Sequence, residues 1–322
     1  MSEEEGGQTM QKAQVRSSRI PQAVKTFRKS RSLLFLATPG ILFLVVFNYA
    51  PMFGSILAFK DFKYDLGILR SPWVGFDNFK FFFKSQAAWT VTRNTLAMNL
   101  LFIVVGTVVA IVLALMLAEL SRRSVKIFQT VLFFPFFISW VVVGYAVYAL
   151  LATDYGAVNA LLRSWGLEEI YWYGETGYWV GLLLLIYLWK NVGYTALLYY
   201  TGLLGIDNTY YEAAQIDGAN RWQQITRITL PLLLPLITMM TLLSVGKIFY
   251  SDFGLFFFVT RDSTALYKVA DVIDTYVYRA LRKSGDLTMS AAAGLYQSVM
   301  GFALILLSNW LVKRIDPENA IF

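Results

Sequence analysis

Six stretches of this chain run for about twenty residues or more, the length that crosses the hydrocarbon core of a bilayer, and together they hold a single charge. They are bracketed by Arg31 and Lys60, Arg93 and Glu119, Lys126 and Asp154, Glu175 and Asp207, Arg227 and Lys247, and Asp286 and Lys313. The internal charge is Lys190. Separate spans of this length cannot be barrel strands, and in lipid only a helix otherwise satisfies every backbone N–H and C=O. The expectation is an all-α integral membrane subunit with six transmembrane helices over 33–322, behind a basic segment, 1–32, whose composition reads as disordered. Charged residues are 15% of the chain and aromatics 16%, far from a soluble domain of this length. Lys25, Arg28, Lys29 and Arg31 precede the first span as they would a signal peptide. Its apolar run is too long and lacks an evident cleavage site, so it reads as a retained anchor.

Absences narrow the chemistry. Without His or Cys there is no HExxH zinc helix, thiol nucleophile, disulfide or Ser-His-Asp triad. No pair of Asp sits mid-span for an aspartyl intramembrane protease, and Gly246-Lys247-Ile248 lacks the upstream glycine and the Ser/Thr of a phosphate loop. No catalytic residue and no metal site is expected. If ATP drives this protein, another chain hydrolyses it. The net charge of +7 is membrane-related, since nothing suggests a nucleic-acid groove.

One polar insert, residues 211–235, interrupts the apolar runs. Thr209 with Glu212, and Asn220 with Gln223, have capping-box spacing, so two short helices should flank Asp217-Gly218. Gly218 suits a bend with positive φ, paired alanines leave a face that a partner can approach closely, and Leu230-Pro231 suits a helix start. The plainer reading is a linker in which Glu212 caps its own helix. The order Glu212-Ala213-Ala214, two spacers, Asp217-Gly218-Ala219, then Ile228 and Leu230-Pro231 resembles the cytoplasmic loop of permease subunits of binding-protein-dependent ABC importers. Ile225 departs from the pattern, which often has Phe there; this bears on which ATPase is the partner. Pro51-Met52-Phe53-Gly54, Ala58-Phe59-Lys60-Asp61 and 71–79 resemble the first external loop of sugar-importer permeases. Residues 268–277 and 290–298 are similar to the branch that imports oligosaccharides cut from polysaccharides.

The resemblance implies the type I ABC importer permease fold, in a bacterial cytoplasmic membrane. It implies that Glu212, Ala213, Ala214, Asp217, Gly218 and Ala219 couple to an ATPase, with the coupling loop at about 207–230. It also implies two ABC ATPase subunits that hold ATP and Mg, a second permease that we expect to be a different chain, and an extracytoplasmic solute-binding protein; no cofactor belongs to this chain. Charge alone gives orientation by a thin margin, with Arg122, Arg123, Lys126, Lys313 and Arg314 inside against a basic first and fifth loop. A coupling loop in the cytoplasm places both termini there.

On the fourth span, at 100° per residue, Tyr187, Lys190, Asn191, Tyr194 and Thr201 share an arc of roughly 100°, opposite Leu188, Val192, Gly193 and Ala196. Lys190 falls about 18 Å below Tyr178, near the bilayer middle, where a lysine costs about 2.5–3.5 kcal/mol. Such a residue faces protein or water. Two readings stay open: a saccharide path, or an interhelical hydrogen-bonded seam without ligand contact. Lys247 suits either the path or snorkelling. Aromatics flanking the spans, such as Phe79, Trp172 and Trp179, read as interfacial anchors. Ser290, Gly294 and Ser298 recur every fourth residue and permit close packing within the sixth span's neighbourhood. Two membrane lysines suit an anionic, uronate-containing oligosaccharide, although neutral sugars accept Lys donors as well. The leading function is therefore an oligosaccharide importer permease. The alternative is a self-contained secondary transporter, against which stand the lack of a clear inverted repeat and of Asp or Glu in any span core.

Overall fold

The computed structural model describes residues 31–315, so most of the expected N-terminal segment, 1–30, and the tail after Ile315 lie outside the described residues. The chain forms two units, Met1–Gly54 and Ser55–Phe322. The described part of the first unit is helical: Arg31–Leu44, a π turn at Val45–Tyr49, then Ala50–Met52. Ala50 N–H reaches back to the Val45 carbonyl, so the wide turn falls directly before Pro51, whose ring crowds the preceding turn of a regular helix.

Among the described residues, five helices are long and apolar enough to cross a membrane: Phe35–Phe59, Gln86–Ala118, Thr176–Leu204, Arg221–Gly246 and Leu287–Arg314. A sixth crossing exists only as a bent pair, Arg122–Phe137 and Trp140–Leu151, whose axes meet at 94°. This corrects the expectation of a continuous third span between Lys126 and Asp154. Pro135 has no N–H and its ring clashes with the turn before it, so the helix ends at Phe133, passes through a 3₁₀ turn at Phe134–Phe137 and restarts after Ser139. Ser139 Oγ accepts the Val142 N–H at 3.4 Å as the new N-cap.

The fifth span also departs from expectation. Its helix starts at Arg221, not at Leu230-Pro231, and a π turn at Ile225–Thr229 accommodates Pro231 much as the first span accommodates Pro51. No strand is found among the described residues; Lys60 and Trp73 form one isolated bridge. That bridge closes the loop after the first span, where buried Lys60 Nζ donates to the Ile68 and Leu69 carbonyls at 2.9 and 2.8 Å and Asn78 Nδ2 to the Ala58 and Lys60 carbonyls.

The second and fourth spans form the most extensive helix pair. Phe102, Trp179 and Leu183 from this pair meet Val143 and Leu255, Phe256 and Val259 in one core cluster, and Ala110, Ala114, Ala196, Tyr199 and Leu233 form another. The segment Leu255–Val259, read from sequence as part of a loop, is a buried π-helical turn. The expected Ser290-Gly294-Ser298 seam is not where helices approach most closely. A Cβ on Gly294 would meet nothing within 4 Å, whereas one on Gly193 would lie 1.9 Å from the Leu132 carbonyl and one on Gly144 2.6 Å from that of Phe258. Ser290 and Ser298 instead turn their hydroxyls to the carbonyls of Asp286 and Gly294 one turn back in their own helix, and reach across only to the Val277 carbonyl and the Tyr250 hydroxyl.

Candidate functional site

The polar insert folds as two short helices, Thr209–Ile216 and Arg221–Gln224. Between them Ala219 N–H bonds to the Ala214 carbonyl and Gly218 N–H to that of Gln215, the paired bonds of a Schellman stop, with Gly218 at φ 79° where a side chain would be strained. The second helix carries the expected capping box, Asn220 and Gln223 bonding reciprocally at 2.9 and 2.8 Å. The first does not. Thr209 is already helical, Asn208 precedes it, and the Asp207 carboxylate receives the Thr209 N–H at 2.9 Å. That bond holds the Asp207 carboxyl below the ordinary range.

Glu212 is thereby left exposed, with no side-chain hydrogen bond among the described residues. Ala213 and Asp217 are exposed beside it and Ala214 and Ala219 half-buried. Ile216 and Trp222, 87% and 72% exposed, project from the two helices, an amount of bare apolar surface that no fold requirement explains. Behind the loop lies a cavity of about 400 Å³, with Glu119, Tyr211, Gln215 and Arg221 among its walls. Arg221 and Glu119 pair at 3.4 Å in the open, which ties the loop loosely to the end of the second span.

The arc on the fourth span divides in two. Lys190 is buried, and its Nζ donates to the carbonyls of Pro135, Phe136 and Ile138 at 3.2, 2.9 and 2.5 Å. These carbonyls belong to the broken third span, where that of Pro135 also accepts the Ile138 N–H of the 3₁₀ turn at 3.1 Å, and the three N–H donors of the lysine meet three acceptors. The seam reading is what the geometry supports for Lys190; no donor remains for a sugar hydroxyl. Lys190 sits at the edge of the arc, about 60° from Gly193, and Gly193 is the point at which Leu132 comes closest. The side chains of Phe136 and Trp140 cover the ammonium, the Trp140 ring at 5.1 Å, and Trp140 Nε1 donates to Asp252 Oδ2 at 2.7 Å. Asp252 in turn caps the Leu255–Val259 turn through the Gly254 and Leu255 N–H groups.

Tyr187 and Asn191 stay together on the other side. Tyr187 stacks on Phe102 at 4.2 Å, and Asn191 Nδ2 donates to the Tyr187 carbonyl. Both line a cavity of about 50 Å³ with Gly106, Thr107 and Ser244, well below the roughly 300 Å³ at which ligand pockets begin. Tyr194 is 40% exposed and stacks on Phe136 at 4.8 Å. Lys247 is exposed just past the end of the fifth span. Sequence reasoning missed Ser139, Trp140 and Asp252; Pro135 inside an apolar run was the available signal for the break.

Residues 103–318 match the family described as binding-protein-dependent transport system inner membrane component. The chain belongs to that family. As a permease it is 33% identical to protein LplB of Bacillus subtilis, over 91% of this chain and 92% of the relative. It is 32% identical to the polygalacturonan/rhamnogalacturonan transport system permease protein YteP of the same organism, over 90% of each. The permease also superposes, with a TM-score of 0.83, on a chain of a bacterial ABC transporter involved in import of the acidic polysaccharide alginate, at 32% identity, covering 92% of this chain and 99% of that one. A structure of such an alginate transporter with a periplasmic protein bound to an alginate pentasaccharide gives a TM-score of 0.82 at 31% identity, covering 90% and 97%. The matched family region of the permease includes both the two-helix loop and Lys190.

Proposed function

We propose that this permease lines half of the translocation pathway of an ATP-driven oligosaccharide importer and that the loop at 207–230 couples it to a separate ATPase. The carrying observation is the loop itself: a rigid Schellman bend presents Glu212, Ile216 and Trp222 to solvent at one end of the spans, with none of them used in this chain's own packing. A second, different permease would supply the other half of the path. Two ABC ATPases would hold ATP and Mg, and an extracytoplasmic solute-binding protein would deliver substrate to the opposite end. ATP binding closes the ATPases and draws the coupling helices together, which opens the path outward; hydrolysis returns it inward.

Tyr187, Asn191 and Tyr194, with Lys247 above them, are the path residues in this reading, and Lys190 is a positioning residue that holds the broken third span beside them. The 50 Å³ cavity fits a half-path, because a sugar-sized opening would form only against the facing subunit. Both termini are cytoplasmic, and residues 33–322 act as one transmembrane domain behind the N-terminal segment. The test is ATP handling: the purified chain should neither bind nor hydrolyse ATP, and the complex with the ATPase should do both. Hydrolysis by the isolated chain would overturn the reading.

A further inference from the structure

At the end of the spans opposite the coupling loop, two adjoining cavities of about 210 and 320 Å³ share Arg261 as a wall. Their combined size is that of a ligand site for one or two sugar rings. Tyr145 borders the first cavity and Tyr148, Tyr155 and Tyr171 the second. Tyr145, Tyr155 and Tyr171 are each more than 60% exposed. Aromatic faces with hydroxyl edges, laid open in this number beside one cation, suit a ligand that offers C–H faces and many hydroxyls.

The cation is held in place deliberately. Arg261 and Asp262 are the two non-glycine residues with positive φ among the described residues, at 57° and 50°, a strained conformation that persists only where the surroundings enforce it. Asp262 enforces it: its carboxylate takes Arg279 at 2.9 Å, Lys283 at 2.7 Å and Tyr267 at 3.0 Å, and its N–H bonds back to the Phe257 carbonyl. The turn lays the Arg261 guanidinium 4.1 Å over the Tyr148 ring. Among the described residues no carboxylate and no carbonyl accepts from it, so its fork of five donors faces the cavities. A guanidinium in this state matches a carboxylate with two parallel bonds.

We propose that Arg261, with Tyr145, Tyr148 and Tyr155, forms an outer subsite that binds the carboxylate-bearing ring of an acidic oligosaccharide before it enters the pathway. The inference rests on the permease reading above and names its substrate class. It also moves the anion-recognising group away from Lys190, whose donors the third span consumes. Asp154, which lines the 320 Å³ cavity beside Tyr155, would accept from the hydroxyls of a neutral part of the sugar.

The test uses the assembled complex of this chain, its second permease and the ATPase in detergent, titrated with tetragalacturonate and with its fully methyl-esterified form. Wild type should bind the acid at least about tenfold tighter than the ester, a ratio set by charge-assisted bonding. Arg261→Gln should lose that preference while keeping ester binding, Arg261→Lys should keep part of it, and Tyr148→Leu should weaken both ligands. Equal binding of acid and ester by wild type, or an unchanged preference in Arg261→Gln, overturns the subsite. So does a fall in binding-protein-stimulated ATPase activity in Arg261→Gln without sugar, which would make this surface a protein dock. Size-exclusion profiles verify assembly, and Arg261→Lys carries the test if the Gln variant does not assemble. ATP-dependent uptake by the wild-type complex of whatever sugar its binding protein delivers is measured separately, so loss of the subsite leaves the permease reading standing.

Discussion

Lys190 Nζ lies 2.5 Å from the carbonyl oxygen of Ile138, the last residue before the third span restarts on the Ser139 cap. A span that breaks within a membrane leaves backbone carbonyls that lipid cannot satisfy. Here a lysine from the neighbouring span satisfies them, and a serine caps the restart. The cost of placing a lysine at that depth and the cost of breaking the helix offset each other in one contact.

Replacing Lys190 with Met should therefore destabilise before it impairs recognition. Three carbonyls lose a charged partner; that of Pro135 keeps the Ile138 N–H, and each of the other two left stranded costs about 1–3 kcal/mol if the turn cannot move. The melting temperature of the purified complex in detergent should fall, and fall further than for Val192→Met on the opposite arc. An unchanged melting curve together with weakened sugar uptake would return Lys190 to the substrate path.

Glycine positions separate close packing from spacing. Gly193→Ala places a Cβ into the Leu132 carbonyl, which the backbone must move to accept, and should cost about 1–3 kcal/mol. Gly294→Ala meets open space and should be neutral or stabilise by about 0.5–1 kcal/mol, the helix-propensity gain. Thermal denaturation of both variants compares them directly; equal losses would contradict the packing described.

In the loop between the last two spans, Arg279 joins two carboxylates, Asp262 at 2.9 Å and Asp271 at 2.5 Å, each side chain at most 13% exposed. Burial raises the Asp262 carboxyl, but Lys283, Tyr267 and Arg279 together outweigh it and hold the group below its ordinary range. Burial dominates at Asp271 and pushes that carboxyl up, against the Arg279 hydrogen bond. A depressed carboxyl contributes stability above its unfolded pKa and loses it as pH falls through the folded value. Arg279→Met removes the cation of buried Asp271, while Asp262 keeps Lys283 and Tyr267, and should cost about 3–5 kcal/mol at neutral pH, with a smaller deficit near pH 4, where the Asp271 carboxyl, raised by burial, takes a proton and needs no cation. Stability measured at the two pH values checks the sign.

The chain has no Cys, so one introduced thiol is unambiguous. In intact cells a membrane-impermeant maleimide should label Thr264→Cys and leave Ile216→Cys untouched until the membrane is opened. Labelling of Ile216→Cys from outside would reverse the orientation and remove the coupling assignment with it.

Much of this architecture is legible in the apolar runs and in one short polar motif. Span number, the bend at Gly218 and the Asn220–Gln223 cap depend on local rules of length, φ and spacing. The role of Lys190 does not. A helical wheel places it beside Tyr187 and Asn191, but which neighbour meets that edge of the wheel depends on where the third span breaks, and hydropathy is blind to a break made by Pro135 among phenylalanines. The Thr209–Glu212 box failed for a local reason, since Asp207 two residues upstream offered its carboxylate first. Asp252 gave no signal of its part at the break, because Trp140, 112 residues earlier in the chain, is brought to it only by the fold.

The central claim, ATP-driven import through a permease coupled at the 207–230 loop, is tested most directly by uptake into proteoliposomes holding the full complex, with ATP enclosed and the sugar-loaded binding protein on the other side. Uptake should require ATP and should fall to background in Gly218→Val, whose side chain is incompatible with φ near 79°, while the ATPase subunits still hydrolyse ATP. Wild-type rates in Gly218→Val, or uptake driven by an ion gradient without ATP, would contradict the account.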